Sequence, residues 1–186
     1  LSGNSNACEK EDFIKYISAG NNKCIAILNL GKIEKSKKNL IVFLHGDGSP
    51  NSPRPGIPKK SQIRFAKELI NDNNNMFLFA RPGYLMRERG SSEEDRYSSG
   101  PRNAIKSTIV NYDWKNFQIL APALQNLRKY YKPKKLILIG HSGGAYQGGT
   151  IHGKVPGLVD INILISCPCD WEIRKKLSNG KKWETK

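Results

Sequence analysis

The sequence runs to 186 residues, 38% hydrophobic and 25% charged, with a formal net charge of +15. That length suits one domain with a buried core, spanning 1–186, and no apolar run approaches the ~20 residues of a bilayer-crossing helix, so no transmembrane segment is expected. The lysines fall in scattered pairs (Lys37-Lys38, Lys59-Lys60, Lys134-Lys135, Lys175-Lys176, Lys181-Lys182) and not in one block with interleaved aromatics. The charge therefore reads as a solvated surface and not as a specific nucleic-acid footprint, with non-specific attraction to anionic surfaces left open.

The chain begins at Leu1, and "LSGNSNAC" has small polar residues like those around a signal-peptide cleavage site, without a leader's charged and apolar regions. The lean is toward a periplasmic or secreted protein, with a cytoplasmic one as the alternative. Export would suit a Cys8–Cys24 disulfide. "CIAILNL" (Cys24–Leu30) and "LIVFLH" (Leu40–His45) are short apolar runs bounded by Gly, Lys and Asn, and read as buried strands. "KKSQIRFAKELINDN" spaces Ile63, Phe65, Ala66, Leu69 and Ile70 for a helix that asparagines stop near Asn73. "MFLFARPGY" is a further strand, broken at Pro82-Gly83. The segment 85–114 is polar and turn-rich, too long for a simple connector, and reads as a cap-like loop. "WKNFQILAPALQNLRKYY" is an amphipathic helix with a bend expected at Pro122. "KLILIG" and "LVDINILIS" complete the strands. Cys167 and Cys169 in "SCPCD" stand too close, across a proline, for an easy mutual bridge. They also lack a second ligand pair for a metal, so they read as small buried residues at a strand end. Strands alternating with helices imply an α/β fold, a mostly parallel sheet with helices on both faces.

Two strand-end loops carry the candidate chemistry. In "GHSGG" Ser142 sits between glycines, after the strand "KKLILIG" and before a small-residue helix start. A nucleophilic serine on a tight, strained turn needs that context, and Gly140 and Gly144 lack Cβ atoms where strand and helix approach. The second loop is "LHGDGSP". Acyl transfer needs N–H donors aimed at the oxygen that becomes negative. That role is assigned to the backbone of Gly143 with Asp47 or Gly48, His45 and Gly46 supporting the turn, and the helix dipole from Gly143 adds to the same point. Arg81, at a strand end in "ARPGY", is a candidate anchor for an anionic substrate group, with a structural salt bridge as the favoured alternative.

"LHGDGS", "ARPGY", "GHSGG" and "SCPCD" stand in the order and spacing of the α/β-hydrolase superfamily, and the sequence resembles its bacterial, often exported members over most of Cys24 to Asp170. The resemblance lies nearer to esterases and acyl-peptidase relatives than to lipases. It implies cleavage of a small-molecule ester, or less readily a peptide or amide bond, through an acyl-enzyme on Ser142, with neither metal nor organic cofactor. The superfamily order is serine, acid, histidine. Asp170, after "LVDINILIS", is a candidate acid, or else the cap of a helix near Trp171. Asp160 begins its strand, at the wrong end of the sheet.

None of the three histidines fits the base. His45 belongs to the oxyanion loop, and His141 should point away from the Ser142 hydroxyl. His152 lies ten residues past Ser142, about 15 Å along a helix. The resemblance therefore implies that acid and histidine follow Lys186, in strands beyond the sequence given, with the polar segment around Arg87 to Asn111 overlying the site. Without a base a serine hydroxyl is a weak nucleophile, so a non-catalytic binding protein of the same fold is the rival reading.

Overall fold

The computed structural model describes residues 11–47, 60–86, 96–100 and 114–170. In chain order the elements are β1 (Tyr16–Ser18), β2 (Cys24–Leu30), β3 (Asn39–Leu44), α1 (Lys60–Glu68), β4 (Asn74–Phe79), β5 (Leu85–Met86), β6 (Arg96–Tyr97), α2 (Trp114–Tyr131), β7 (Lys135–His141), α3 (Gly143–Lys154) and β8 (Ile161–Ile165). Six strands form one sheet in the order β1-β2-β4-β3-β7-β8, and β5 pairs with β6 in a separate two-stranded ladder. β4, β3, β7 and β8 run parallel, while β1 and β2 are antiparallel to each other and β2 is antiparallel to β4. The sheet is thus mixed at its β1 side and parallel where the site lies.

Alternation along each strand explains how the sheet buries both faces. Leu40, Val42 and Leu44 of β3, with Leu136 and Leu138 of β7, face Leu120, Leu124 and Leu127 of α2 and Ile151 of α3. Ile41 and Phe43 turn the other way, with Ile139, Met76 and Leu78, toward Ala66 of α1. Strands buried on both sides read as unbroken apolar runs, which is why β2, β3, β4 and β7 are legible in the sequence. α1 stops at Glu68, earlier than expected; Leu69 and Ile70 close the turn by donating to the carbonyls of Ala66 and Lys67. α2 continues through Pro122 to Tyr131. No helix among the described residues is long and apolar enough to cross a membrane.

The turn-rich segment 85–114 contains a short ladder that its composition did not announce. Leu85 pairs with Tyr97 and Met86 with Arg96, while 87–95 and 101–113 lie outside the described residues. The return of this segment is sewn into the sheet: Ser98 Oγ accepts from the Ala26 N–H at 2.9 Å and donates to the Ala80 carbonyl at 2.5 Å. Arg96 Nη1 donates to the Ile27 carbonyl at 2.9 Å.

A second departure concerns the cysteines. Cys167 and Cys169 are joined by a disulfide, with Cα atoms 5.1 Å apart, contrary to the expectation that they stand too close to bridge. An extended pair two residues apart would stand about 7 Å apart, but the spacing is set by the backbone of Pro168 between them, and 5.1 Å is the separation of a bent segment. The Cα separation then falls in the ordinary disulfide range. Cys24 is also disulfide-bonded; Cys8 lies outside the described residues.

Candidate active site

Because β3, β4, β7 and β8 are parallel, the loops after them all leave from one end of the sheet. Those loops bring His45–Asp47, Arg81–Tyr84, Ser142–Gly144 and Cys167–Asp170 to the same end. Ser142 is the hinge between β7 and α3. Its φ of 52° and ψ of −118° lie outside the ordinary regions for an L-residue, and its side chain makes no capping hydrogen bond to the helix that follows. Two main-chain bonds hold the turn: the Ser142 N–H donates to the Ile165 carbonyl at 2.8 Å, and the Ser142 carbonyl accepts from Tyr146 N–H at 3.1 Å. The first ties the serine to the end of β8, and the second starts the helix.

The turn is packed backbone against backbone. A Cβ on Gly144 would strike the main-chain carbonyls of Leu44 and His45, so the start of α3 rests directly on the end of β3. At Gly143 the obstacle is a pair of charged side chains. A Cβ there would stand 2.7 Å from Asp47 Oδ1 and 2.8 Å from Arg81 Nη1. Asp47 and Gly143, the two predicted oxyanion residues within the described set, are therefore neighbours; Gly48 lies outside it. Gly140 is buried in β7 against Ala145, and Gly46 lies against His141 and Gln62.

Behind this surface lies a polar cluster. Arg81 is fully buried and ion-paired with Asp47, whose own side chain is 22% exposed. Tyr84 donates its hydroxyl to Asp47 Oδ1 at 2.7 Å, and the Arg81 guanidinium lies 4.5 Å from the Tyr84 ring centre. Of the two roles considered for Arg81, the geometry is that of the ion pair and not of a group open to solvent. His45 is buried and packs edge-on against Tyr84. Its Nε2 accepts from the Arg81 N–H at 3.2 Å, which leaves the proton on Nδ1 to be donated to the Gly46 carbonyl at 2.8 Å. Burial, and then the Arg81 charge, push the His45 pKa down to about 3, against a smaller opposing pull from the Gly46 carbonyl and Asp47. The ring is neutral, and both nitrogens are spent on fixing the loop.

The other histidines are placed differently. His141 is half-buried, with Nδ1 3.0 Å from Gln62 Nε2. His152 is exposed near the far end of α3. Asp170 is exposed beyond β8, at the serine's end of the sheet. Asp160 stands at the opposite end, accepting from Leu136 N–H at 2.7 Å and from Arg128. Gln62 and Tyr84 were not singled out from sequence. Tyr84 had a signal, since it lies three residues from Arg81 across a Pro-Gly turn that its N–H closes onto the Arg81 carbonyl. Gln62 had none, because its partner is on another element.

No protein-family model matches this sequence, and no curated protein matches it. Solved structures do. An esterase from Pyrococcus furiosus superposes with a TM-score of 0.58 at 17% identity, over 91% of this chain and 56% of its own. A bacterial membrane phospholipase A superposes with a TM-score of 0.51 at 19% identity, over 90% of this chain and 45% of its own. The chain thus spans about half the length of the structures it matches. With the strand order, the serine turn between β7 and α3 and these likenesses together, the chain has the α/β-hydrolase fold.

Proposed function

We propose that this chain carries the nucleophile and oxyanion half of a serine hydrolase that cleaves a small-molecule ester. The observation that carries the reading is the conformation of Ser142. A non-glycine residue in such a region costs roughly 1–3 kcal/mol, and its hydroxyl gains no cap bond in return. Strain of this kind persists where the surrounding structure must hold a side chain at a fixed point, as at active sites. In the proposed reaction the Ser142 oxygen attacks the ester carbonyl carbon while its proton passes to a base. The carbonyl oxygen becomes negative and is met by the N–H groups of Gly143 and Asp47, each worth about 3 kcal/mol to the transition state. The alcohol then leaves with a proton, and water releases the acid from Ser142 by the same route. Asp170 is the candidate acid on this chain. An esterase and a phospholipase A are among the proteins that share the fold, which supports ester cleavage as the class.

A second reading has its own observation. His45 is neutral with both ring nitrogens engaged, and His141 bonds Gln62, so neither is free to act as the base. That favours a non-catalytic binding protein if no further histidine is supplied. A fluorophosphonate probe separates the two. The hydrolase reading expects labelling that Ser142→Ala abolishes with little change in stability. Ser142→Gly should also abolish labelling and raise stability by about 1 kcal/mol, since glycine accepts a positive φ. The probe is applied to the whole protein, with the base supplied, and a folded whole protein that takes no label would sink the hydrolase reading.

A further inference from the structure

Arg81 grips one loop from two sides. Its N–H donates to His45 Nε2 at 3.2 Å, while its guanidinium pairs with Asp47. Residues 45 and 47 are both pinned to the end of β4, with Gly46 between them. Tyr84 adds its hydroxyl to the same Asp47 oxygen and its ring to the face of the guanidinium. The pinned carboxylate then fills the space that a side chain at 143 would occupy.

Stability alone gives no reason for this arrangement. Replacing a buried ion pair with well-packed apolar groups is often neutral or stabilising. Here Arg81 Nε and Nη1 are, in addition, buried without a hydrogen-bond partner among the described residues, which is itself unfavourable. What the pair does supply is position. We propose that Arg81 is a positioning residue for the oxyanion site, acting through Asp47 to hold that residue's main chain against Gly143. The inference rests on the hydrolase reading above. The guanidinium also neutralises a carboxylate that would otherwise stand beside an oxygen turning negative, and so keeps the local field from opposing the reaction.

The test is the saturation kinetics of Ser142 labelling by a fluorophosphonate, which separates a maximal rate constant from a half-saturating concentration. Arg81→Met combined with Asp47→Asn removes both charges of the pair at once. The maximal rate should fall about 100-fold while the half-saturating concentration holds within about twofold. Tyr84→Phe removes only the hydroxyl on Asp47 and should lower the same rate about tenfold; it carries the test if the double variant does not fold. Wild-type maximal rates in the folded variants overturn the proposal, and so does a change confined to the half-saturating concentration. Absence of label on the whole wild-type protein is a different failure, visible before any variant is made: it removes the hydrolase reading and this inference with it.

Discussion

At one end of the sheet Arg128 meets Asp160, and at the other Arg81 meets Asp47. The first pair is bidentate, at 2.9 and 3.2 Å, with both side chains about a third exposed. It is anchored further, since Arg128 Nη1 also donates to the Leu158 carbonyl at 2.7 Å and Asp160 accepts from the Leu136 N–H at 2.7 Å. It fastens α2 to the start of β7 and β8. In the second pair the arginine is buried and the carboxylate partly exposed, the guanidinium has two nitrogens without partners among the described residues, and the neighbouring serine is strained. The same two residue types thus serve as a satisfied clamp at one end and as an unsatisfied, rigid support at the other. The difference teaches where the molecule departs from its most stable arrangement, and that is the end where four parallel strands open toward Ser142.

The sharpest way to break the contrast is at Gly144. An added methyl group there meets main-chain carbonyls at the end of β3, which cannot rotate away as a side chain would. Gly144→Ala should therefore cost about 3 kcal/mol, read from the urea midpoint, and should abolish labelling of Ser142. A normal midpoint would show that the turn is not held by backbone contact.

The next effect is a pH dependence that belongs to the site end. His45 is neutral in the folded protein with a pKa of about 3, against an ordinary value of 6.5. Its pKa is lowered, so the unfolded chain binds a proton that the folded chain refuses. The associated stability is complete above pH 6.5 and is lost as pH falls toward 3, by up to about 1.4 kcal/mol per unit. Between pH 6.5 and 4.5 the expected loss is roughly 2 kcal/mol, followed by urea unfolding. His45→Gln should flatten the slope in this window while lowering the plateau. A slope that survives the substitution would assign it to other groups.

How much of this could be read from the sequence depends on what range the information travels. Cys24–Leu30 and Trp114–Tyr131 were legible to the residue, because burial on two faces and a continuous amphipathic stripe are written locally. The direction of β2 was not legible, since an apolar run looks the same in either sense and its antiparallel pairing with β4 is set by distant register. β1 has three residues with only Ile17 buried, and β5 and β6 have two each, too short for any period to show. Of the site, the glycine-flanked serine and the His-Gly turn were legible as motifs. That Asp47, Arg81 and Tyr84 form one cluster was not, because its contacts join the ends of two strands more than thirty positions apart. The disulfide after β8 was misjudged for a local reason: the bend at Pro168 that draws Cys167 and Cys169 together is a conformation, not a composition.

The smallest effect tests the other half of the contrast. Leu136 N–H and Arg128 outweigh the desolvation of Asp160 and hold its carboxyl below the usual value of 3.8. A lowered carboxylate pKa contributes stability that is present above about pH 4 and lost only below it, so its window does not overlap that of His45 between pH 6.5 and 4.5. The pair is a third exposed, and solvent screening limits it to about 1 kcal/mol. Asp160→Asn keeps an acceptor for the Leu136 N–H and removes the charge. It should lower stability by that amount at pH 7 and low salt, and by less as ionic strength rises. The labelling rate of Ser142 should not change, because the Asp160 end reaches the serine turn only along the full lengths of β7 and β8 and the elements packed on them. If Asp160→Asn slowed labelling while sparing stability, the two ends of the sheet would be coupled, and the division of labour between the two arginine pairs would fail.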